Sequence, residues 1–314
     1  MSLPGDHDVR MARAMLALEG VSLGDGFGER YFGAPHRVLP AIQGRELPHG
    51  PWRWTDDTVM AICITETLEE HGGIDQDSLV RAFARRYRED PVRGYGRGAH
   101  TILGEILAGA PWRQVAGAVF DGGGSMGNGA AMRVAPIGAY FADDLEAVVH
   151  HAAASAEPTH AHPDGKAGGI AIAVATALAH GDGREQSSTG EELLATVIEH
   201  TPEGPTREGL RVAEQLGLSC EVAVAADRLG TGSNVISSDT VPFCVWSAAR
   251  NLGQFETAMW ETVSGLGDRD TTCAIVGGIL AGNVGMGALP AEWRLRREAL
   301  PDPLTAPLPR QAAP

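Results

Sequence analysis

Two acidic segments combine carboxylates with threonine hydroxyls at the entrances of apolar helical stretches. The first acidic segment is TDDT at residues 55–58, and the second is DRDT at residues 268–271 of the 314-residue chain. One acidic residue before a helix is ordinary, because it bonds free amides and faces the positive end of the helix dipole. A second carboxylate beside it is repelled unless a positive charge lies between the two. Carboxylate and hydroxyl oxygens suit Mg²⁺ or Mn²⁺, so the two segments indicate a site for two divalent cations.

A simpler interpretation is that each segment only caps its own helix, and either segment alone fits it. Both segments share one construction, however, and in an extended turn Asp268 and Asp270 can point the same way while Arg269 points elsewhere. This repetition favours the cation site over two separate caps. The candidate ligands are Thr55, Asp56, Asp57, Asp268, Asp270 and Thr271.

A glycine-rich segment, GGGSMGNG at residues 122–129, leads into a helical stretch with Arg133 near its start. Glycines let backbone amides face a ligand without a Cβ in the way, and helix N-termini attract anions. The segment is therefore a candidate phosphate-binding loop, although glycines also serve tight turns. The side chains of Ser125, Asn128 and Arg133 favour the phosphate interpretation.

Two other segments carry groups that could take part in chemistry. His160 and His162 could suggest zinc, but no further ligand lies at zinc spacing, which favours a neutral histidine in a pocket or a loop. The glycines of GDGFG at residues 24–28 resemble a loose dinucleotide fingerprint, yet no βαβ pattern surrounds them. Glu29 follows them on a predicted loop, as a candidate general base or a merely solvated acid.

Nearly every periodic stretch predicts a helix, because apolar residues recur three or four apart with Gly or Pro between stretches. Alternating strand patterns are nearly absent. Residues 167–179 and 272–285 are rich in small residues and apolar almost all round, which predicts helices at the centre of a bundle. We expect one helical domain over residues 1–300 and a Pro-rich tail over residues 301–314.

The composition excludes several classes of protein. A net charge of −15 argues against a general nucleic-acid binder, which would carry a basic surface. No apolar run approaches the length of about 20 residues that a membrane span needs, and the N-terminus makes a poor signal peptide. The four cysteines lie far apart in apolar stretches, as is typical of reduced thiols. We expect a cytoplasmic monomer.

Five stretches, in this order, resemble the ADP-ribosylglycohydrolase family, which includes dinitrogenase reductase-activating glycohydrolase and the ADP-ribosylarginine hydrolases. They are LGDGFG, WTDDTVMA, SMGNGAAMR, the TH pair at residues 159–160, and GDRDTTCAIVGGILAG. The resemblance runs from about residue 12 to residue 287. It implies an all-α fold, a single compact orthogonal helical bundle with a central cleft that holds two Mg²⁺ or Mn²⁺ ions.

The resemblance also implies roles for individual residues. The six candidate ligands would bind the two ions, and Asp270 would also be catalytic. His160 would line the substrate pocket. The diphosphate of ADP-ribose would be held by Ser125, Met126, Gly127, Asn128 and Gly129. The implied activity is metal-dependent hydrolysis at the anomeric ribose carbon, which removes ADP-ribose from a modified protein or another ADP-ribosylated substrate.

Two positions depart from the family pattern. Several members carry a mechanistic glutamate where this chain has Tyr31 and Phe32, so Glu29 is a candidate catalytic residue that lies out of register. Arg269 replaces a usually small residue and could contact a phosphate or leaving group, or shape the rim. Two other functions stay open: a non-catalytic ADP-ribose-binding or crystallin-like structural protein, and a two-metal phosphoesterase that cuts the diphosphate.

Overall fold

The structure, a computed structural model, describes residues 3–180 and 189–301. Within these residues there is no β-strand, only isolated bridges between Trp52 and Arg297 and between Gly127 and Ile236. The helices are α1 (His7–Glu29), α2 (Pro35–Gln43), α3 (Asp56–His71), α4 (Gln76–Glu89), α5 (Arg97–Leu107), α6 (Trp112–Ala118), α7 (Gly129–Met132), α8 (Ala135–Tyr140), α9 (Leu145–Ala156), α10 (Pro163–His180), α11 (Gly190–His200), α12 (Pro205–Leu216), α13 (Val222–Leu229), α14 (Ser237–Arg250), α15 (Phe255–Ser264), α16 (Arg269–Val284) and α17 (Ala291–Arg296), with a 3₁₀ turn at Met286–Ala288. The all-α prediction is confirmed. Of the predicted tail at 301–314, all but Pro301 lies outside the described residues.

Helices α10 and α16 form the centre of the bundle, as their composition predicts. Helix α10 packs against α7, α8, α9, α11, α14 and α16, and nearly all its side chains are buried. Helix α16 packs against α1, α10, α14 and α15 and is buried from Thr271 to Ala281. Small residues allow this, because they let backbones approach on every side. None of the described helices is long and apolar enough to cross a bilayer.

Helices α1 and α16 pack closely against each other, and glycines on α1 make this possible. A Cβ on Gly20 would lie 2.2 Å from the carbonyl oxygen of Gly277, and one on Gly24 would lie 2.0 Å from that of Cys273. Gly28 has the same relation to Arg269, at 2.1 Å. The segment 24–28, predicted as a loop, is therefore the last part of α1, and its glycines serve helix packing. The spacing of four residues puts these glycines on one face of the helix.

We expect Gly24→Ala to destabilise the protein by about 3 kcal/mol, at the upper end of overpacking effects, because its Cβ meets backbone that cannot move aside. Gly104→Ala is the matched control: it also lies inside a helix, but a Cβ there meets nothing within 4 Å. That change should be neutral or stabilise by about 0.5–1 kcal/mol, the gain in helix propensity. Urea unfolding of both variants measures the difference, and equal free energies of unfolding would contradict the packing role of Gly24.

The stretch after the glycine-rich segment also differs from its prediction. The sequence suggests one helix over 131–141, whereas the structure has two short helices, α7 and α8, separated at Arg133 and Val134. Pro136 lies in the first turn of α8, where its missing amide hydrogen costs no helical bond. The break places Arg133 at the end of α7, next to α9 and the start of α10.

Candidate functional site

A cavity of about 640 Å³ lies where the N-termini of α3 and α16 meet the glycine-rich segment and the turn between α9 and α10. Of the residues singled out from the sequence, those that line it are Asp56, Asp57, Ser125, Met126, Gly127, Asn128, Gly129, Arg133, Thr159, His160, Asp268, Asp270 and Thr271. Thr55 lies buried beside Asp57, with its hydroxyl 3.0 Å from Asp57 Oδ2. Glu29 and Arg269 are not among the lining residues. The fold therefore joins the two acidic segments, which are some two hundred residues apart in the chain.

In each acidic segment, the residue directly before the helix does not cap it. Thr55 precedes α3 and Asp268 precedes α16, yet neither side chain bonds the free amides of the helix that follows. The carboxylate of Asp268 instead accepts a hydrogen bond of 2.8 Å from the side-chain amide of Asn128. Asp270 accepts one from the adjacent backbone amide of Thr271. Thr271 lies in the first turn of α16, so Asp270 bonds one free amide of its own helix, whereas the side chains of Asp56, Asp57 and Asp268 remain available for something other than capping.

The cap of α3 comes from a residue that the sequence interpretation missed, Asp25. Its buried carboxylate accepts hydrogen bonds from the backbone amides and the hydroxyls of Thr55 and Thr58. Asp25 belongs to α1, and the glycine packing of α1 against α16 holds it beside both acidic segments. The sequence analysis missed this role because it predicted a loop at residues 24–28. The glycines at positions 20, 24 and 28 are spaced four apart and could have indicated a packed helix that carries Asp25.

Burial and mutual repulsion disfavour the ionised forms of these acids. Burial, followed by the charge of Asp25, raises the pKa of Asp56 to about 8. Burial also raises the pKa of Asp25 to about 6, against the opposing effect of its threonine hydrogen bonds. The pKa values of Asp57 and Asp270 are raised well above the usual range, first by burial and then by neighbouring carboxylates. Burial likewise raises the pKa of Asp268.

The donor set has the chemistry of a divalent-cation site. Asp57 Oδ1 is buried and has no hydrogen-bond partner among the described residues, a costly state for a carboxylate unless something positive faces it. All the available donors are hard carboxylate or hydroxyl oxygens, which suit Mg²⁺ and Mn²⁺. Within residues 3–180 and 189–301, no three His, Cys, Asp or Glu side chains stand in a finished coordination geometry. The ligand atoms are thus of the chemical type that these ions prefer, but the side chains do not form a complete coordination shell within the described residues.

The raised pKa of Asp56 predicts a pH dependence of stability in the absence of metal. Between the pKa of an unfolded aspartate, 3.8, and about 8, the folded state holds a proton that the unfolded state has lost. Stability therefore falls as pH rises through this window, on the order of 1 kcal/mol per pH unit for one such group. Asp56→Asn should flatten the slope between pH 6 and 8 in EDTA. Urea unfolding of both proteins measures it, and equal slopes would contradict the assignment.

The glycine-rich segment is built differently from a free phosphate loop. The backbone amide of Gly127 donates to Ser125 Oγ, and that of Asn128 donates to the carbonyl of Val235. The Asn128 side chain is engaged with Asp268. A Cβ on Gly129 would lie 2.8 Å from the ring of His160, so this glycine makes room for the histidine. The segment therefore shapes the cavity wall and holds the second acidic segment.

Arg133 lines the cavity and supports His160 through Thr159. Its guanidinium is fully buried over the ring of Phe83 and donates to the carbonyl of Ser155 and the hydroxyl of Thr159. Thr159 Oγ1 lies 2.7 Å from His160 Nδ1, and burial lowers the pKa of His160 to about 3. The histidine is therefore neutral near pH 7. Its hydrogen bonds to Ser155 and Thr159 show a role in the wall of the cavity that the sequence did not indicate, and a contact of Arg133 with a phosphate stays a prediction.

Glu29 and Arg269 also differ from expectation. Glu29 is the last residue of α1 rather than part of a loop, and burial raises its pKa. Its charge raises the pKa of Asp270, so it lies near the second acidic segment although it does not line the cavity. Arg269 points away from the cavity: its guanidinium donates to the carbonyl of Tyr31 at 2.9 Å and lies over the Phe32 ring. It thus fixes the segment after α1, and these contacts favour a role in shaping the rim.

The mouth of the cavity carries exposed apolar residues, of which the sequence analysis singled out only Met126. Phe120, Met126 and Val235 are exposed by 63%, 42% and 53%, and all three line the cavity. Val235 has a left-handed backbone with φ of 56°, which is uncommon for a β-branched residue. Arg97, at the start of α5, adds an exposed cation among the glycines of RGYGRG. The glycines of this stretch, which also line the cavity, are the sequence feature that could have indicated this part of the site.

The fold and the cavity define an all-α protein with a buried acidic site, and known proteins give its family. The sequence pattern of the ADP-ribosylglycohydrolase family matches residues 6–311, and the chain belongs to this family. Human ADP-ribosylhydrolase ARH3 is 28% identical over 287 residues, which cover 81% of this chain and 77% of ARH3. An uncharacterized protein of Archaeoglobus fulgidus is 29% identical over 287 residues, with 87% and 88% covered.

A solved structure titled ADP-ribosylglycohydrolase-related protein complex shares the fold. Its TM-score is 0.64 at 23% identity, with 92% of this chain and 93% of that chain covered. The resemblance stated from the sequence is therefore confirmed. So is the class of enzyme, since this family consists of hydrolases that act on ADP-ribosyl glycosidic bonds.

Proposed function

We propose that the protein is a metal-dependent hydrolase that removes ADP-ribose from a conjugate by cleaving the bond at the anomeric ribose carbon. The observation that carries the proposal is the convergence of both acidic segments, the glycine-rich segment and a neutral His160 on one cavity. A volume of about 640 Å³ lies within the range of roughly 300–1,000 Å³ for small-molecule sites. Membership of the family, and the likeness to ARH3, support the same reaction.

Two Mg²⁺ or Mn²⁺ ions would be held by the six oxygen-bearing residues of the two acidic segments. When bound, they supply positive charge for the ribose hydroxyls and lower the pKa of a water. Support comes from the absence, within the described part of the chain, of side-chain capping bonds at Thr55 and Asp268 and of a partner for Asp57 Oδ1. Binding of cations would also offset the charges of neighbouring carboxylates, which together with burial raise the pKa of Asp270.

The side chains of the protein would bind and orient the remainder of the substrate. The exposed apolar surfaces of Phe120, Met126 and Val235 suit the faces of an adenine ring at the mouth. A neutral His160 can hydrogen-bond a ribose hydroxyl or a phosphate oxygen without adding charge. Cleavage at the anomeric carbon passes through an oxocarbenium-like state, and nearby carboxylates favour its positive charge. Glu29 remains a candidate general base, because its raised pKa and its position near Asp270 suit that role.

A panel of defined conjugates tests the proposal. ADP-ribosyl arginine, ADP-ribosyl serine, an ADP-ribosylated nucleobase and a small-molecule conjugate are each incubated with and without Mg²⁺. We expect metal-dependent turnover of at least one conjugate, and its identity would assign the substrate class. Tight ADP-ribose binding without turnover of any conjugate would instead support a non-catalytic binding protein.

A further inference from the structure

We propose that Asp25 is a positioning residue for the cation site: from α1 it caps α3 and orients the Thr55 hydroxyl, which leaves both carboxylates of the first acidic segment free for ions. This inference rests on the proposed function, in which Thr55 and those carboxylates are ligands. It adds a residue that is neither one of the six ligands nor part of the cavity lining.

The contacts of Asp25 are those of a helix cap supplied by another helix. Asp25 is fully buried, one turn before the end of α1. The amides of Thr55 and Thr58 donate to its Oδ2 at 2.8 and 3.1 Å, and both hydroxyls donate to the same carboxylate. Thr58 is the third residue of α3, and its amide is the one that the side chain before a helix normally bonds. Asp25 takes over that task.

Because Asp25 caps α3, the side chains of the first acidic segment are free to bind a cation. The Thr55 side chain makes no capping bond, and its hydroxyl oxygen lies 3.0 Å from both Asp25 Oδ1 and Asp57 Oδ2. A hydroxyl has a single hydrogen to donate. When that hydrogen goes to Asp25, the hydroxyl oxygen keeps its lone pairs for a cation and both oxygens of Asp57 are available. Asp57 Oδ1 already lacks a hydrogen-bond partner among the described residues.

A double-mutant cycle tests whether Asp25 affects cation binding by orienting the Thr55 hydroxyl. The alternative is that the negative charge of Asp25 attracts the cation directly. Mn²⁺ dissociation constants are measured by calorimetry on the full chain, well below the melting temperature, for Asp25→Asn, Thr55→Val and the double variant. Each single change should weaken binding at least about tenfold. The double variant should lose little more than Thr55→Val alone, because both changes act through one oxygen. Additive losses, or an unchanged affinity of Asp25→Asn, would overturn the proposal.

Thr58→Val is the matched control for a purely structural cap. It removes the other hydroxyl that bonds Asp25 but leaves the Thr55 contacts in place. We expect it to lower the melting temperature of the metal-free protein while keeping the Mn²⁺ affinity within about threefold of the wild type. A loss of affinity in both variants that simply follows their loss of stability would show that Asp25 is only structural.

Folding of the variants and the behaviour of the wild type are controlled separately. If Asp25→Asn does not fold, Asp25→Ser, which presents no amide group to the threonine donors, takes its place in the cycle. If neither folds, Asp25 is a structural cap and the proposal is overturned. Failure of the wild type to bind Mn²⁺ would refute the metal-dependent function itself. If the wild type binds Mn²⁺ and Asp25→Asn binds it with the same affinity, only the positioning role is refuted.

Discussion

Asp270→Asn should lower turnover strongly while leaving the metal-free protein at least as stable as the wild type. Asp270 lines the cavity at the start of α16, and burial and neighbouring carboxylates raise its pKa well above the usual range. Cation-based charge stabilisation contributes several kcal/mol to a transition state. At a factor of ten per 1.4 kcal/mol, its loss should lower kcat by about 10²–10³-fold. Asparagine does not titrate, so the variant loses the cost of burying an acid whose pKa is raised in the folded state, and its melting temperature in EDTA should be unchanged or higher.

Asp144→Asn is the matched control for this variant, because Asp144 is a true cap: it precedes α9 and accepts a bond from the amide of Ala147. Asparagine caps helices as well as aspartate does. The control should therefore keep both activity and stability close to those of the wild type. If Asp270→Asn instead kept its activity and lost stability, Asp270 would be a structural acid.

Divalent cations should stabilise the folded protein by an amount that melting curves can measure. An ion that binds only the folded state adds RT ln(1 + [L]/Kd), about 2.7 kcal/mol at a hundredfold excess over Kd. Mg²⁺ or Mn²⁺ should therefore raise the melting temperature and EDTA should lower it. The rise should be larger near pH 8 than near pH 6, because the folded state takes up protons on Asp56 below about pH 8, and these compete with the ion.

Two comparisons make the melting experiment specific. Asp270→Asn should show a much smaller rise with metal, whereas Asp144→Asn should respond as the wild type does. Na⁺ at equal ionic strength controls for general screening of the charge of −15. A melting temperature indifferent to millimolar Mg²⁺ and Mn²⁺ would mean that the acidic segments do not form a cation site.

The sequence predicted the parts of the site that a local pattern can carry. Carboxylates and threonines at two helix entrances, a glycine-rich segment and a TH pair are local features, and all of them line or adjoin one cavity. The central helices α10 and α16 followed from their small apolar residues, because a helix without a polar face must be buried.

The sequence could not predict the hydrogen-bond partners of several polar side chains in the folded protein. Arg133 bonds α9 and Thr159, although the sequence only suggested that it favours a phosphate. Arg269 bonds the segment after α1, although the sequence left open a phosphate, a leaving group or the rim of the site. The side-chain amide of Asn128 bonds Asp268, a contact that the sequence did not indicate. These choices depend on elements far apart in the chain, for which local spacing gives no signal.

Residues 24–28 are helical although their sequence predicts a loop, which shows that tertiary packing can override local helix propensity. Glycine disfavours a helix interior by about 1 kcal/mol relative to alanine, so three glycines around Asp25 predict a loop. Close packing of α1 on α16 overrides that preference, because a Cβ at Gly24 would lie 2.0 Å from a backbone oxygen of α16. The same packing holds Asp25 against Thr55, which no local pattern would reveal.

The most direct test of the central claim is the mass of the products formed from one defined ADP-ribosyl conjugate with Mg²⁺ present. Cleavage at the anomeric ribose carbon predicts free ADP-ribose and the intact acceptor in equal amounts, and formation of both about 10²–10³-fold more slowly with Asp270→Asn. AMP together with a ribose-phosphate conjugate of the acceptor would show that the diphosphate is cut instead, and would contradict the proposed glycohydrolase.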